Sequence, residues 1–426
     1  MNKPQVKKFA NGMTAILVPQ KGATSMTIFV MVRVGSRYES RQINGASHFI
    51  EHLMFKGTKR RPNTQILTQT IDRYGAEYNA FTGKDLTAYY IKIAAEQTPL
   101  AIDILNDMLF HSLYDPKEID RERGVIVEEI NMYEDNPRMH LEDLLEGALF
   151  PRSTLGWNIA GPREVIRNVT RDQLIDYLDS YYVPSRITVV VAGKIMPGTE
   201  ALLHKTFGKV TQHHKGKEDE FAPFCPPKTL GCPVALQNKK TEQVQLGIAF
   251  HGISISHEDA PVASLLADIL GGSMSSRLFI EIRERRGLCY SIRASHESLQ
   301  DTGVFSVTAG LDKKRFPEAV KAIMNEVRSM ARKPVPLTEI RRAKDHVRGS
   351  IMLAFEDSAT QASWYGRQWT FLKRLETPEE KLKRLEKVSA KDIQRVAKKI
   401  FDSKRMAAAV IGPFPNAEPI RRLLVK

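Results

Sequence analysis

The chain has 426 residues, 42% hydrophobic and 26% charged, with 63 Lys and Arg against 49 Asp and Glu for a formal charge of +14. This is ordinary for a globular protein and long enough for two to four domains. The cations are scattered, and no helix-turn-helix, finger or stacking signature accompanies them, so the basic surface reads as solvated and no nucleic-acid partner is expected. Cys225, Cys232 and Cys289 are odd in number and lack zinc-ribbon spacing, so neither a disulfide framework nor a cysteine metal site is indicated; Cys225 and Cys232 could pair by spacing alone, but inert thiols in a reducing, cytoplasmic setting are expected.

Taken in chain order, the first eight residues are basic but lack the apolar core of about 7–15 residues that a signal peptide needs. No run approaches the roughly 18 apolar residues of a membrane span, so a soluble, unexported chain with no membrane partner is expected. Residues 13–18 and 26–34 read as strands from their Thr, Ile, Val and Phe content. Residues 46–55 read as a helix closed by Gly57. Residues 87–93 form another predicted strand, and the apolar residues of 99–113 recur at helical spacing. Asp115-Pro116-Lys117-Glu118 is a helix start: an N-cap acid, proline in the first turn and an acid three residues after the cap. The helix continues with Ile119, Ile126, Ile130 and Tyr133.

An internal repeat divides the chain. Val169-Thr170-Arg171-Asp172-Gln173-Leu174, then Tyr182, then an apolar run to Gly193, reappear without a gap as Val388-Ser389-Ala390-Lys391-Asp392-Ile393, Phe401 and a run to Gly412. In each copy Thr or Ser caps a helix that leads into a β-rich run. The spacing predicts two homologous α/β halves, 1–211 and 231–426, joined by a polar, Pro-rich linker over 212–230 that includes His213 and His214.

The segment His48-Phe49-Ile50-Glu51-His52 carries chemistry. On a helix, residues four apart share a face, so His48 and His52 can grip one ion, with Glu51 on the same side. This is the inverted order of the commoner H-E-x-x-H zinc motif. Neutral imidazoles suit zinc, and a carboxylate that is not a ligand can act as general base beside it. A catalytic zinc also needs a third protein ligand. Glu122, Ile126, Glu129 and Tyr133 form one helical stripe, and acids on a partly buried row need a reason such as a metal.

With Glu122-Arg123-Gly124-Val125-Ile126-Val127-Glu128-Glu129 following it, the pentad resembles the pitrilysin, insulin-degrading enzyme and mitochondrial processing peptidase family. The resemblance implies Glu129 rather than Glu128 as third ligand, Glu122 as an acid behind the ligands, and Glu51 as general base. Gly75-Ala76-Glu77-Tyr78-Asn79-Ala80-Phe81-Thr82 resembles the family's substrate-facing strand edge, with Asn79, Ala80 and Phe81 against the peptide. In the second half, residues 263–270 align with 46–53 and both histidines become apolar, so one Zn2+ per chain is implied. Arg283-Glu284-Arg285-Arg286-Gly287-Leu288-Cys289-Tyr290 resembles the family's Arg/Tyr element, which implies that Arg283 and Tyr290 hold the substrate carbonyl while Arg285 and Arg286 are surface cations.

The implied fold is α+β: two homologous halves, each a mostly antiparallel sheet packed with helices, closing like a clamshell around a chamber that admits unfolded peptides. The implied function is a zinc metalloendopeptidase, in a short member that works as a homodimer. A catalytic subunit of a heteromeric processing peptidase, or a non-catalytic assembly subunit, are the alternatives.

Overall fold

The computed structural model describes residues 3–211 and 221–425. Eleven strands are named in chain order: β1 (Gln5–Lys8), β2 (Thr14–Pro19), β3 (Ser25–Val32), β4 (Glu77–Thr82), β5 (Thr87–Ala94), β6 (Ile187–Gly193), β7 (Val234–Asn238), β8 (Gln243–His251), β9 (Cys289–Ser298), β10 (Gly303–Asp312) and β11 (Met406–Gly412). The helices that matter here are α1 (Ala46–Leu53), α2 (Pro116–Asp135), α3 (Pro137–Leu149), α4 (Arg171–Tyr181), α5 (Ala260–Ala267), α6 (Ser358–Leu372) and α7 (Ala390–Ile400). The predicted strands and helices of the first half all occur, with ends moved by one or two residues. Asp115 does cap α2, accepting from Lys117 N at 2.8 Å.

The first compact unit comprises Met1–Ile130, Asn158–Phe221 and Met352–Thr377. Its sheet runs β1-β2-β6-β3-β5-β4. Only the β2–β6 pair is parallel. All seven residues of β6 are buried, as suits a central strand rich in Val and Ile. One face packs on the main core, where Ile28, Val30, Tyr89 and Ile91 meet Phe49 and Ile50 of α1 and Ile126 of α2. The other face is covered by α6: Thr370 Oγ1 reaches Thr188 Oγ1 at 3.3 Å, Ser358 Oγ lies 2.7 Å from Thr27 Oγ1, and Gly366 sits over Met31 and Val190.

The second unit comprises Asn131–Trp157, Ala222–Ile351 and Pro378–Lys426. Its sheet runs β7-β11-β8-β10-β9, and again one pair, β7–β11, is parallel. One face carries a core that includes Leu265, Leu266, Val320, Ile323, Ile393 and Val396. On the other, Leu141, Leu145 and Leu149 of α3 pack on Ala249, Ala407, Ala409 and Ile411.

The duplication is visible in the elements themselves. Helix α4 and strand β6 recur as α7 and β11 with every boundary shifted by the same 219 residues. Both helices open on a capping box, Thr170 with Gln173 and Ser389 with Asp392. The division of the chain differs from the contiguous halves read from the sequence. Helix α3 lies before residue 211 yet belongs to the second unit, and α6 lies after residue 231 yet belongs to the first. Amphipathic periodicity tells a helix to bury a face but not which sheet to bury it on. Of the expected linker, 212–220, with His213 and His214, lies outside the described residues. The remainder is tied down: Phe224 N donates to Asp301 Oδ2 and Leu230 N to Lys404 O.

Candidate metal centre

Helix α1 presents the pentad on a face that is neither core nor fully open. Phe49, Ile50 and Leu53 are buried, while His48, Glu51 and His52 are half-buried. The helix starts at Gly45, in a left-handed conformation at φ 103°. A Cβ there would meet Ile166 Cδ1 and the Ala160 carbonyl at 2.6 and 2.7 Å, so only glycine fits. Gly45 has no side chain to cap the helix, and buried Glu39 performs that task from outside it. The Glu39 carboxylate accepts from Gly45 N at 2.7 Å, Ser47 N at 2.8 Å and Asn44 Nδ2 at 2.8 Å.

The candidate third ligand comes from α2. Glu122, Ile126 and Ile130 are buried, Glu129 is half-buried and Glu128 is exposed, so Glu129 is the acid turned towards α1. Tyr133, expected on the same buried row, is exposed. His48 Nε2 and His52 Nε2 lie 3.6 and 3.5 Å from the same oxygen, Glu129 Oε2. Two donors, each about 2.0–2.1 Å from a tetrahedral zinc, stand about 3.3–3.4 Å apart. The three side chains thus fit a zinc ion by both spacing and donor chemistry, and among the described residues they form the one such cluster.

The surrounding groups set the charges. His48 is pushed down to about 4 by burial and by neighbouring His52, against the pull of Glu129. That holds it neutral, as a ligand must be. Burial also works against a proton on His52, but its contacts with Glu122 and Glu129 outweigh this and lift it to about 9. A metal at Nε2 competes with that proton. Glu122 is held low by its hydrogen bonds to His52 and Lys56 in spite of burial, and Glu129 is held low chiefly by His52. Glu51 is shifted upwards by burial, partly countered by Thr82, whose Oγ1 donates to Glu51 Oε2.

Thr82 ends β4, the edge strand of the first sheet. Along β4, Asn79 and Phe81 are exposed while Tyr78, Ala80 and Thr82 are half-buried beside α1. Asn79 Oδ1 accepts the Ala80 N–H at 2.8 Å. The edge strand and the candidate general base are therefore parts of one structure. Arg283 and Tyr290 meet in the second unit: the Arg283 guanidinium lies 5.4 Å from the Tyr290 ring and 4.6 Å from that of Phe279. They line a cavity of about 590 Å³ beside Ser291, Arg293 and Thr308, and the Tyr290 side chain is exposed. Arg285 and Arg286 are exposed, as expected.

Sequence reasoning missed Glu39, Lys56 and Thr82. Thr82 and Lys56 act through carboxylates remote in sequence, Glu51 and Glu122, while Glu39 holds Asn44, Gly45 and Ser47, only five to eight residues later, in a turn that no motif marks.

With the geometry in hand, comparison with known proteins gives a consistent picture. A family model described as "Insulinase (Peptidase family M16)" matches residues 15–163, and one described as "Peptidase M16 inactive domain" matches residues 168–347. A protein of Bacillus subtilis named as an uncharacterized zinc protease is 34% identical over 406 residues, covering 95% of this chain and 97% of its own. One of the same description from Streptomyces coelicolor is 32% identical over 400 residues, covering 93% of this chain and 87% of its own. A protease from Helicobacter pylori shares the fold with a TM-score of 0.90 at 21% identity, over 96% of this chain and 99% of that one. A Pseudomonas fluorescens structure described as a peptidase M16 inactive domain aligns with a TM-score of 0.89 at 16% identity, over 97% and 98% of the two chains.

Proposed function

Since the chain belongs to peptidase family M16, we propose that it is a zinc-dependent endopeptidase that hydrolyses unfolded peptides. The observation that carries this reading is the convergence of His48 Nε2 and His52 Nε2 on one oxygen of Glu129, with Glu51 alongside and not among the three ligands. Zinc, when bound by these three, supplies a Lewis acid that acidifies water and polarises a peptide carbonyl.

The chain's own groups do the rest. Glu51, oriented by Thr82 and made more basic by burial, takes a proton from the attacking water and returns it to the leaving amine. An extended peptide adds to the open edge of β4 at Asn79, Ala80 and Phe81, displacing the Asn79 oxygen from the Ala80 N–H. Arg283 and Tyr290 are assigned to the substrate carbonyl, where they donate hydrogen bonds as negative charge develops on its oxygen.

One chain carries both the metal ligands and the Arg283–Tyr290 pair, which supports self-sufficient subunits in a homodimer rather than obligate pairing with a different chain. Three free cysteines support a cytoplasmic setting. Among the described residues, no helix is long and apolar enough to cross a membrane.

The test is zinc content and cleavage of an unstructured peptide, measured together for the wild type and Glu51→Gln. About one zinc in each, with kcat lowered by about 10²–10⁴ in the variant, is the expected result for a general base. A wild-type protein that neither holds zinc nor cleaves the peptide would overturn the reading.

A further inference from the structure

Behind the metal ligands lies a buried ion pair. Glu122 is 1% exposed, and a carboxylate so placed is costly unless it is both paired and hydrogen-bonded. Its two oxygens are divided between two partners: Oε1 lies 2.7 Å from Lys56 Nζ and Oε2 lies 3.1 Å from His52 Nδ1. Among the described residues these are its only ion-pair partners within reach.

The division has a consequence for the metal. To bind zinc through Nε2, His52 must be a neutral imidazole that donates its Nδ1–H to Glu122. It then brings no full positive charge to the carboxylate, and Lys56 is the cation that remains. His48 has no comparable support, because its Nδ1 is buried with no partner among the described residues. The orientation of the imidazole pair thus rests on the His52 side.

Lys56 is itself fixed. Its N–H donates to Leu53 O at 3.0 Å at the end of α1. The following residue, Gly57, has φ 133°, and a Cβ there would meet the Pro62 carbonyl at 2.7 Å. Gly57 O accepts from Leu113 N at 3.0 Å, and Thr58 Oγ1 donates to Asp107 Oδ2 at 2.5 Å. The side chain leaves this pinned turn only one-quarter exposed.

We propose that Lys56 is a positioning residue for the metal centre, acting through Glu122 to hold His52 in the tautomer and orientation that bind zinc. The proposal rests on the zinc-peptidase reading above. Removing the ammonium leaves the buried carboxylate uncompensated, and the His52 ring loses its fixed acceptor.

The experiment measures zinc affinity of the full chain, stripped with a chelator and titrated against a chromophoric competitor. Lys56→Met is compared with Lys56→Arg, Glu122→Gln and the double variant Lys56→Met/Glu122→Gln, with Lys56→Gln carried in parallel in case the methionine variant does not fold. Loss of the ammonium is expected to weaken zinc binding about 10–100-fold, the usual cost of removing a group that orients a ligand. Lys56→Arg, which keeps the charge, recovers most of the affinity. In the Glu122→Gln background, removing Lys56 changes little, because the group it acts through is gone. Wild-type affinity in Lys56→Met or Lys56→Gln, or an equal loss in the Glu122→Gln background, would overturn the proposal. Failure of the wild type to bind zinc would sink this proposal together with the peptidase reading, whereas tight wild-type binding with unchanged variants sinks this proposal alone.

Discussion

Helix α1 in the first unit and α5 in the second both lie beside the edge strand of their own sheet, β4 and β9 respectively. Their side chains answer different demands. In α5, Pro261, Val262, Ala263, Leu265, Leu266 and Ala267 are all buried, so the helix serves packing alone. In α1, three polar residues interrupt the apolar face and remain half-buried. The starts of the two helices differ as well. Asp259 precedes α5 and pairs with Arg395 at 2.6–2.8 Å, while α1 begins at a glycine capped by Glu39. A duplicated frame thus keeps one copy for packing and gives up apolar burial in the other to polar groups that can hold a metal, the trade expected where a site competes with packing.

The largest expected effect comes from erasing that difference. His48→Leu combined with His52→Leu makes α1 resemble α5. Zinc content falls to background and peptide hydrolysis is lost, while the metal-free variant unfolds at the same or a higher temperature than metal-free wild type. A large drop in its melting temperature would show that the histidines also serve the fold. Glu39→Ala tests the start of α1. It strands the N–H groups of Gly45 and Ser47, so a loss of about 1–3 kcal/mol in urea unfolding is expected, together with weaker zinc binding. The smallest effects should be matched ones. Thr170→Ala and Ser389→Ala remove equivalent caps from α4 and α7, and each should cost about 1 kcal/mol in the same assay. Markedly unequal losses would mean that the two copies no longer share the energetics of their common frame.

Much of the candidate site is legible in the sequence. The i, i+4 spacing of His48 and His52 places both imidazoles on one side of α1 by helix geometry alone. The choice of Glu129 over Glu128 needed the family resemblance, and burial then separates the two, since Glu128 faces outwards. Lys56 and Thr82 were not legible, because a lysine after a helix and a threonine ending a strand are unremarkable until a distant carboxylate is placed beside them. The exchange of α3 and α6 between the units was hidden for a related reason. Their patterns specify a buried face, while the complementary surfaces that receive it lie on strands up to hundreds of residues away.

The sequence by itself determined the duplication, the order and type of most elements, and the chemistry of the pentad, because these follow from short-range spacing, capping and residue type. Tertiary structure alone decided which sheet each exchanged helix covers, that Glu39 and Thr82 converge on α1, and that Lys56 pairs with Glu122. Those outcomes depend on burial and hydrogen-bond partners, which no periodicity within a single segment can specify.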